Sequence, residues 1–558
     1  MIASKSRLAA LVLSATALGA VAFSPQSSQA LDQPLAAKNR RVARPRPCCP
    51  RVRGGGGGGG AARPRPMTVS AAAAPKEDNG EQDIFRGAVA VGAATAAMGF
   101  AYGKVLDLTV RGVWEQVPAL LAARGVALGG GAYIAATMAA GGLVMGLLSA
   151  GLKPAYIVAE FVSNLSGSRP TSLPSLLPAL PNLLLLSLVT STFGFSVGPE
   201  APMVCAGGLV GAALARKWCS SDDEKDGSGS EVEGIMAYAG AAGSLTAFMG
   251  IPLAGPIFAL ELTRASAGMA SAARDALGPA VAASVAALVI IRGILLPRAA
   301  VGGHFSYGAV GALGGRAAMS TALACGLGGA IIGTGFHKLV HLMKGILWTE
   351  KATCTKKEKG EVRRGIPIPR EVVVKTLVGV AVGLLSAAYP QTMFWGEGSL
   401  QTAVDGQKTA FIATRHGLST ALTSVARVDP SIPFQSGWEA AQVGSVKLLS
   451  IALACAGKFP GGIIFPLFFA AAPLAQAALS LLPMSFPAAV SPVAVMCLMA
   501  STQASVTRTP LATILMLALG ASTSTEITKM LPSVILSSYL GVYFSRLISK
   551  ESYFSYST

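Results

Sequence analysis

From Ile84 onward the chain alternates apolar runs with short polar breaks. The runs fall at 86–103, 116–150, 154–165, 174–193, 200–216, 233–248, 253–264, 272–296, 310–346, 371–389, 408–425, 437–455, 463–482, 487–502, 509–522 and 529–548. A helix needs about 20 apolar residues to cross a bilayer. Several runs are shorter than that, and others are so long that they must tilt or bend. Glycine and proline interrupt apolar surroundings at Gly198-Pro199, Pro252, Gly255-Pro256, Pro460-Gly461-Gly462 and Pro466. Lipid offers the backbone no hydrogen bonds, so such runs form helices, and helices broken at mid-membrane mark transporters and pores. The pattern predicts an all-α polytopic membrane protein.

The first 80 residues break this pattern. Residues 1–22 have the form of a signal peptide: Lys5 and Arg7, the apolar run Leu8–Val21, then Ala20-Val21-Ala22 before Phe23. Residues 23–80 are rich in Arg, Pro and Ser, carry the heptaglycine Gly54–Gly60, and have too little apolar content to form a core. Together they resemble the two-part plastid presequences of algae with secondary plastids, with a second cleavage region at Met67–Ala74. A plain secretory signal with a disordered tail is the rival reading and predicts a mature N-terminus near Phe23. The membrane domain is expected over 84–558, with polar loops at 220–233 and 351–370. The last apolar run stops near Ile548 and the chain ends at Thr558, which leaves no room for a soluble regulatory domain. An integral protein of a plastid membrane, thylakoid or envelope, is the expectation; the endomembrane system is the alternative.

Composition agrees with the pattern. The chain is 52% hydrophobic and 13% charged, against about 25% charged in soluble domains. Its 65 glycines and 6% aromatics suit helices that approach closely through small residues, as at Gly142 and Gly146. The net charge of +18 does not signal a nucleic-acid partner, because the head from Lys5 to Arg65 supplies +10 of it. A second basic cluster, Lys351 to Arg370, reads as a stromal or cytosolic loop. The eight cysteines form no CxxC pair, and Cys48 and Cys49 fall in the presequence. His337 and His341 lack the glutamate of HExxH and read as helix-face histidines. No cofactor, nucleotide or metal motif supports an enzyme.

Two stretches put glycine and proline inside apolar sequence. In Gly194–Gly208, "GFSVGPEAPMVCAGG", Pro199 suits a helix start and Glu200 falls at the positive end of that helix. In a soluble protein such an acid simply stabilises the helix dipole. Within a membrane segment a carboxylate is costly, which points to function. Gly457–Pro466, "GKFPGGIIFP", opens another apolar helix and turns the amides of Gly462, Ile463 and Ile464 toward an anion. Two helix N-termini aimed at one place bind an anion without a full positive charge, so it can leave again.

These stretches resemble the motifs of the CLC chloride channel and transporter family. "GPEAP" (Gly198–Pro202) is similar to its gating-glutamate motif, in a form like that of plant and cyanobacterial plastid-type members. "GGIIFP" (Gly461–Pro466) resembles its GxFxP filter. Gly240–Arg264 and Leu498–Ala512 are similar to two further family segments, all four in family order. The resemblance implies an inverted-repeat bundle of about 16–18 helices, no CBS domains, and a homodimer in the lipid bilayer. It implies conduction of chloride or another small monovalent anion, gated by voltage or pH, with proton-coupled chloride, nitrate or fluoride exchange as the alternative.

Residue by residue, the resemblance makes Glu200 the gate, with Gly198, Ala201, Gly462, Ile463 and Ile464 binding the anion. Tyr553 matches the tyrosine that closes the central site, with Tyr556 as second candidate. Ser149 is the candidate for the anion-coordinating serine and Ser168 its competitor; an ordinary helix-start serine is the bland reading of both. Pro199 departs from the family by replacing a basic residue. Glu261 matches the first acid of a family helix end. Leu262 stands where proton-coupled exchangers carry an acid, which favours a conductance.

Overall fold

The computed structural model describes residues 78–126, 129–152, 177–218, 228–264, 275–295, 305–307, 314–348, 369–405, 434, 436–481, 490–521, 527–550 and 553. The presequence up to residue 77, the runs 154–165 and 408–425, Ser168, Tyr556 and most of both polar loops lie outside them.

Sixteen α-helices form among the described residues. They are α1 Asp78–Arg111, α2 Val117–Ala123, α3 Gly130–Gly151, α4 Leu180–Thr192, α5 Glu200–Trp218, α6 Ser228–Met249, α7 Ala254–Arg264 and α8 Leu277–Val289. The second half has α9 Gly315–Trp348, α10 Arg370–Ala388, α11 Leu400–Asp405, α12 Gly437–Ala456, α13 Ile464–Ser480, α14 Val490–Thr507, α15 Pro510–Gly520 and α16 Ile527–Ile548. Eight helical stretches among the described residues are long and apolar enough to cross a membrane. The protein is therefore an all-α integral membrane protein. The halves echo each other in length: α1 and α9 each run 34 residues, and α7 and α15 each run 11.

Two boundaries differ from those expected. Helix α1 begins at Asp78, inside the stretch read as disordered through residue 80, and α6 begins at Ser228, inside the polar stretch 220–233. In the second case Glu231 falls in the first helical turn, where an acid meets the positive end of the helix. A polar composition that reads as a loop is here a helix start.

Small residues let these helices touch. On α3, a Cβ at Gly142 would sit 2.8 Å from Gly379 Cα of α10, and one at Gly146 would sit 2.6 Å from Val372 Cα. Helices α5 and α6 cross the same way, with Gly207 and Gly211 against Gly240. Helix α14 is enclosed along nearly its whole length. Its Ser501 and Ser505 hydroxyls donate to the Cys325 and Gly329 carbonyls of α9 at 2.7 and 2.9 Å. In an apolar medium this packing, with a few cross-helix hydrogen bonds, replaces the hydrophobic drive of a soluble core.

Candidate anion site

Helices α5 and α13 begin alike. After the first two residues of each comes a proline, in Glu200-Ala201-Pro202 and Ile464-Phe465-Pro466. Proline has no N–H, and the next amide in each helix already bonds within it: Met203 to Pro199 O and Leu467 to Ile463 O, both at 3.0 Å. Each helix therefore aims two backbone amides, and the positive end of its dipole, outward from its start.

The linkers that feed these helices are joined to each other. Gly198 and Gly462 form an antiparallel bridge, and three residues upstream the rings of Phe195 and Phe459 lie 4.3 Å apart. The side chain of Glu200 lies over this bridge. A Cβ on Gly198 would collide with both carboxylate oxygens, and one on Gly462 would collide with Oε2 and come within 3.1 Å of the Ala201 nitrogen. Glu200 is fully buried, and the amide of Phe465 and its own amide point toward its carboxylate. Neither oxygen completes a hydrogen bond of ordinary geometry. The fold thus seats a carboxyl group between two helix N-termini, which is where a small free anion would bind.

The structure brings Gly198, Glu200, Ala201, Gly462, Ile463 and Ile464 together. The amide facing Glu200 is that of Phe465, one residue beyond Ile464. Pro466 at the third helical position, legible in the sequence, identifies Phe465 as carrying the last outward amide. Tyr553 stacks on Phe336 with centroids 6.2 Å apart, and its hydroxyl pairs with the Cys455 thiol at the end of α12. Ser149 lies in the last turn of α3 and not at a helix start, and its hydroxyl makes no hydrogen bond. Glu261 has a structural task. It accepts from the Leu511 and Ala512 amides at 3.1 and 2.8 Å, capping α15, whose first residue Pro510 has no N–H. Leu262 beside it is buried. His337 on α9 is buried and His341, one turn on, is exposed.

Three charged residues near the site were missed in the sequence. Lys447 of α12 is fully buried, and its ammonium donates to the Thr392, Met393 and Phe394 carbonyls at 2.9, 3.3 and 2.6 Å. Glu397 and Arg292 are also buried, and Trp395 Nε1 donates to Glu397 Oε2 at 3.0 Å. Each is an ionisable residue in or beside an apolar run, the same signal that pointed to Glu200.

Among the described residues no group of three His, Cys, Asp or Glu side chains is placed to hold a metal.

The sequence profile of the voltage gated chloride channel family matches residues 141–546. Solved structures share the fold. A slow cyanobacterial Cl-/H+ antiporter aligns with TM-score 0.62 and 16% identity over 85% of this chain and 96% of its own. A eukaryotic CLC transporter aligns with TM-score 0.58 and 16% identity over 85% and 73% of the two chains. A CLC-type fluoride/proton antiporter gives TM-score 0.53 and 16% identity over 84% and 96%. No curated protein matches by sequence. At this identity the structural likeness speaks to the fold, while the profile covers most of the chain and both helix starts that meet at the Gly198–Gly462 bridge: the protein belongs to the voltage gated chloride channel family, whose members transport anions.

Proposed function

We propose that this chain is a gated conductance for chloride or a similar small monovalent anion, with Glu200 as the gate. The carrying observation is the seat of the Glu200 carboxylate over the Gly198–Gly462 bridge, in front of the α5 and α13 N-termini. While ionised, the side chain occupies the place an anion would take. Protonation removes its charge and frees it to swing aside. Opening then follows acidity, and also voltage, because an anion driven through the site competes with the carboxylate. The amides of Ala201, Ile463, Ile464 and Phe465 supply the anion's ligands. Tyr553, next to Cys455, is proposed to narrow the path where α12 ends, and Ser149 remains the candidate serine.

Leu262 supports a conductance over an exchanger, since a buried leucine carries no proton. The alternative, proton-coupled exchange, is supported by the solved relatives, two of which are described as proton antiporters. Proteoliposomes loaded with chloride, nitrate or fluoride, with internal pH recorded during efflux, separate the two. A conductance passes the anion with no proton movement beyond leak. Proton uptake driven by the anion gradient would replace this reading with the exchanger. We further propose a homodimer with one pore per subunit, in a plastid membrane reached through the two-part presequence.

A further inference from the structure

Between α10 and α11 the chain makes a tight reversal through Phe394 and Gly396, both at positive φ (54° and 85°). This turn packs against the linker entering α5 and against α13. The Phe394 amide donates to the Gly194 carbonyl at 2.9 Å and the Ser196 hydroxyl to the Thr392 carbonyl at 2.7 Å, which ties the turn to the linker entering α5. Gly396 lies against α13 so closely that a Cβ would come 2.8 Å from Phe469 Cβ. From α12, Lys447 holds the three carbonyls of the turn, with its ammonium 5.0 Å from the Phe469 ring centre. The turn therefore touches both elements that build the site, and Glu397 is its acid, 3% exposed and fixed by Trp395 Nε1.

Glu397 lies within electrostatic reach of two groups: Glu200 on α5 and Arg292, in the π-helical turn Ile290–Leu295 that follows α8. The Arg292 guanidinium rests against Gly250, which has no side chain to obstruct it. The other titratable group facing Glu200 is Tyr102 of α1, whose hydroxyl pairs with Ser187 at 2.9 Å. Position 199, next to Glu200, is proline and supplies no charge. Among the described residues Glu397 is thus the charge that reaches Glu200, with Arg292 as its own counter-charge and the Lys447 ammonium on the carbonyls of the turn.

We infer that Glu397 is a second gating carboxylate, whose charge acts on Glu200 across the anion site and sets the acidity at which the gate opens. Arg292 opposes it. The inference rests on the reading of Glu200 as the gate. Two like charges in a site of low dielectric cannot both ionise as easily as one alone. Glu397 raises the cost of an ionised, blocking Glu200, and Arg292 offsets part of the Glu397 charge.

The test is the pH profile of chloride efflux from proteoliposomes for Glu397→Gln, Arg292→Gln, Glu200→Ala and Glu200→Ala/Glu397→Gln. Glutamine can still accept from Trp395, so Glu397→Gln removes the charge and keeps the turn. With that repulsion gone, Glu200 stays ionised to lower pH, and the midpoint of opening moves acid by about one pH unit, the scale of one buried charge several ångströms away. Arg292→Gln moves it the other way. Damage to the fold would not give shifts of opposite sign, and either variant alone tests the idea if the other fails to fold. In the Glu200→Ala background Glu397→Gln changes nothing. If Glu200→Ala is flat with pH but the single-charge variants leave the midpoint in place, or move it in the same direction, the role of Glu397 is wrong and the gate stands. If Glu200→Ala keeps the wild-type profile, the gate itself is wrong.

Discussion

Gly198 and Gly462, 264 positions apart in the chain, exchange both backbone hydrogen bonds: Gly198 N–H to Gly462 O at 2.9 Å and Gly462 N–H to Gly198 O at 2.5 Å. This pair fixes the α5 and α13 N-termini relative to each other and forms the floor beneath Glu200. Neither glycine has positive φ. They are needed for the space they leave, so alanine can adopt the same backbone.

Gly462→Ala is expected to fold, with a thermal midpoint close to wild type, and to disturb the gate. The new methyl would meet Glu200 Oε2 and lie 3.1 Å from the Glu200 Cδ, so the carboxylate cannot keep its seat. Chloride efflux should depend less steeply on pH, with a lower maximum because the methyl also narrows the site. A wild-type pH profile in a folded variant would show that the carboxylate does not sit over this glycine.

Glu200→Ala removes the occupant itself. Anion efflux is expected to persist and to lose its pH sensitivity, measured between about pH 4 and pH 8, a window that spans ordinary and raised carboxylate titration. Retention of the wild-type acid activation would refute the assignment of Glu200.

The fold class was readable from the spacing of apolar runs, because lipid forces backbone polar groups into helices and leaves few alternatives. The two helix starts that meet at the Gly198–Gly462 bridge were readable for a related reason: glycine, proline and a carboxylate inside apolar sequence have few structural explanations. The partners contributed from elsewhere in the chain were not. Glu261 matched a family acid, yet its carboxylate spans 250 positions to cap α15 at Leu511, and only the packing of α7 on α15 reveals that. Lys447, Arg292 and Glu397 stood out in apolar or glycine-rich surroundings but carried no motif, and their meaning depends on which turn each one reaches. Ser149 closes α3, and the short helix that "SAGLKP" is read to precede lies outside the described residues.

Glu261→Ala tests the structural reading of that acid. The two α15 amides that it satisfies would lose their acceptor, at a cost of about 1–2 kcal/mol, typical of a lost N-terminal cap. The thermal midpoint in detergent should fall while anion efflux and its pH dependence stay as in wild type. A changed pH profile with unchanged stability would instead assign Glu261 to the transport path.

Lys447→Met asks what holds the turn beside the gate. Methionine fills much of the same volume but cannot donate. The Thr392 carbonyl would keep its bond from the Ser196 hydroxyl, whereas the Met393 and Phe394 carbonyls would lose the ammonium. Each buried polar group left unmatched costs about 1–3 kcal/mol, partly offset because no ammonium need then be taken out of water. A net loss of about 2–4 kcal/mol is expected. It should appear as a clear drop in thermal midpoint relative to Lys338→Met, which alters an exposed lysine of α9. The surviving folded protein should also show a broadened pH profile, because a loosened turn no longer holds Glu397 at a fixed distance from Glu200. Wild-type stability in Lys447→Met would mean that the turn is secured by its contacts with Gly194, Ser196 and Phe469 without the ammonium.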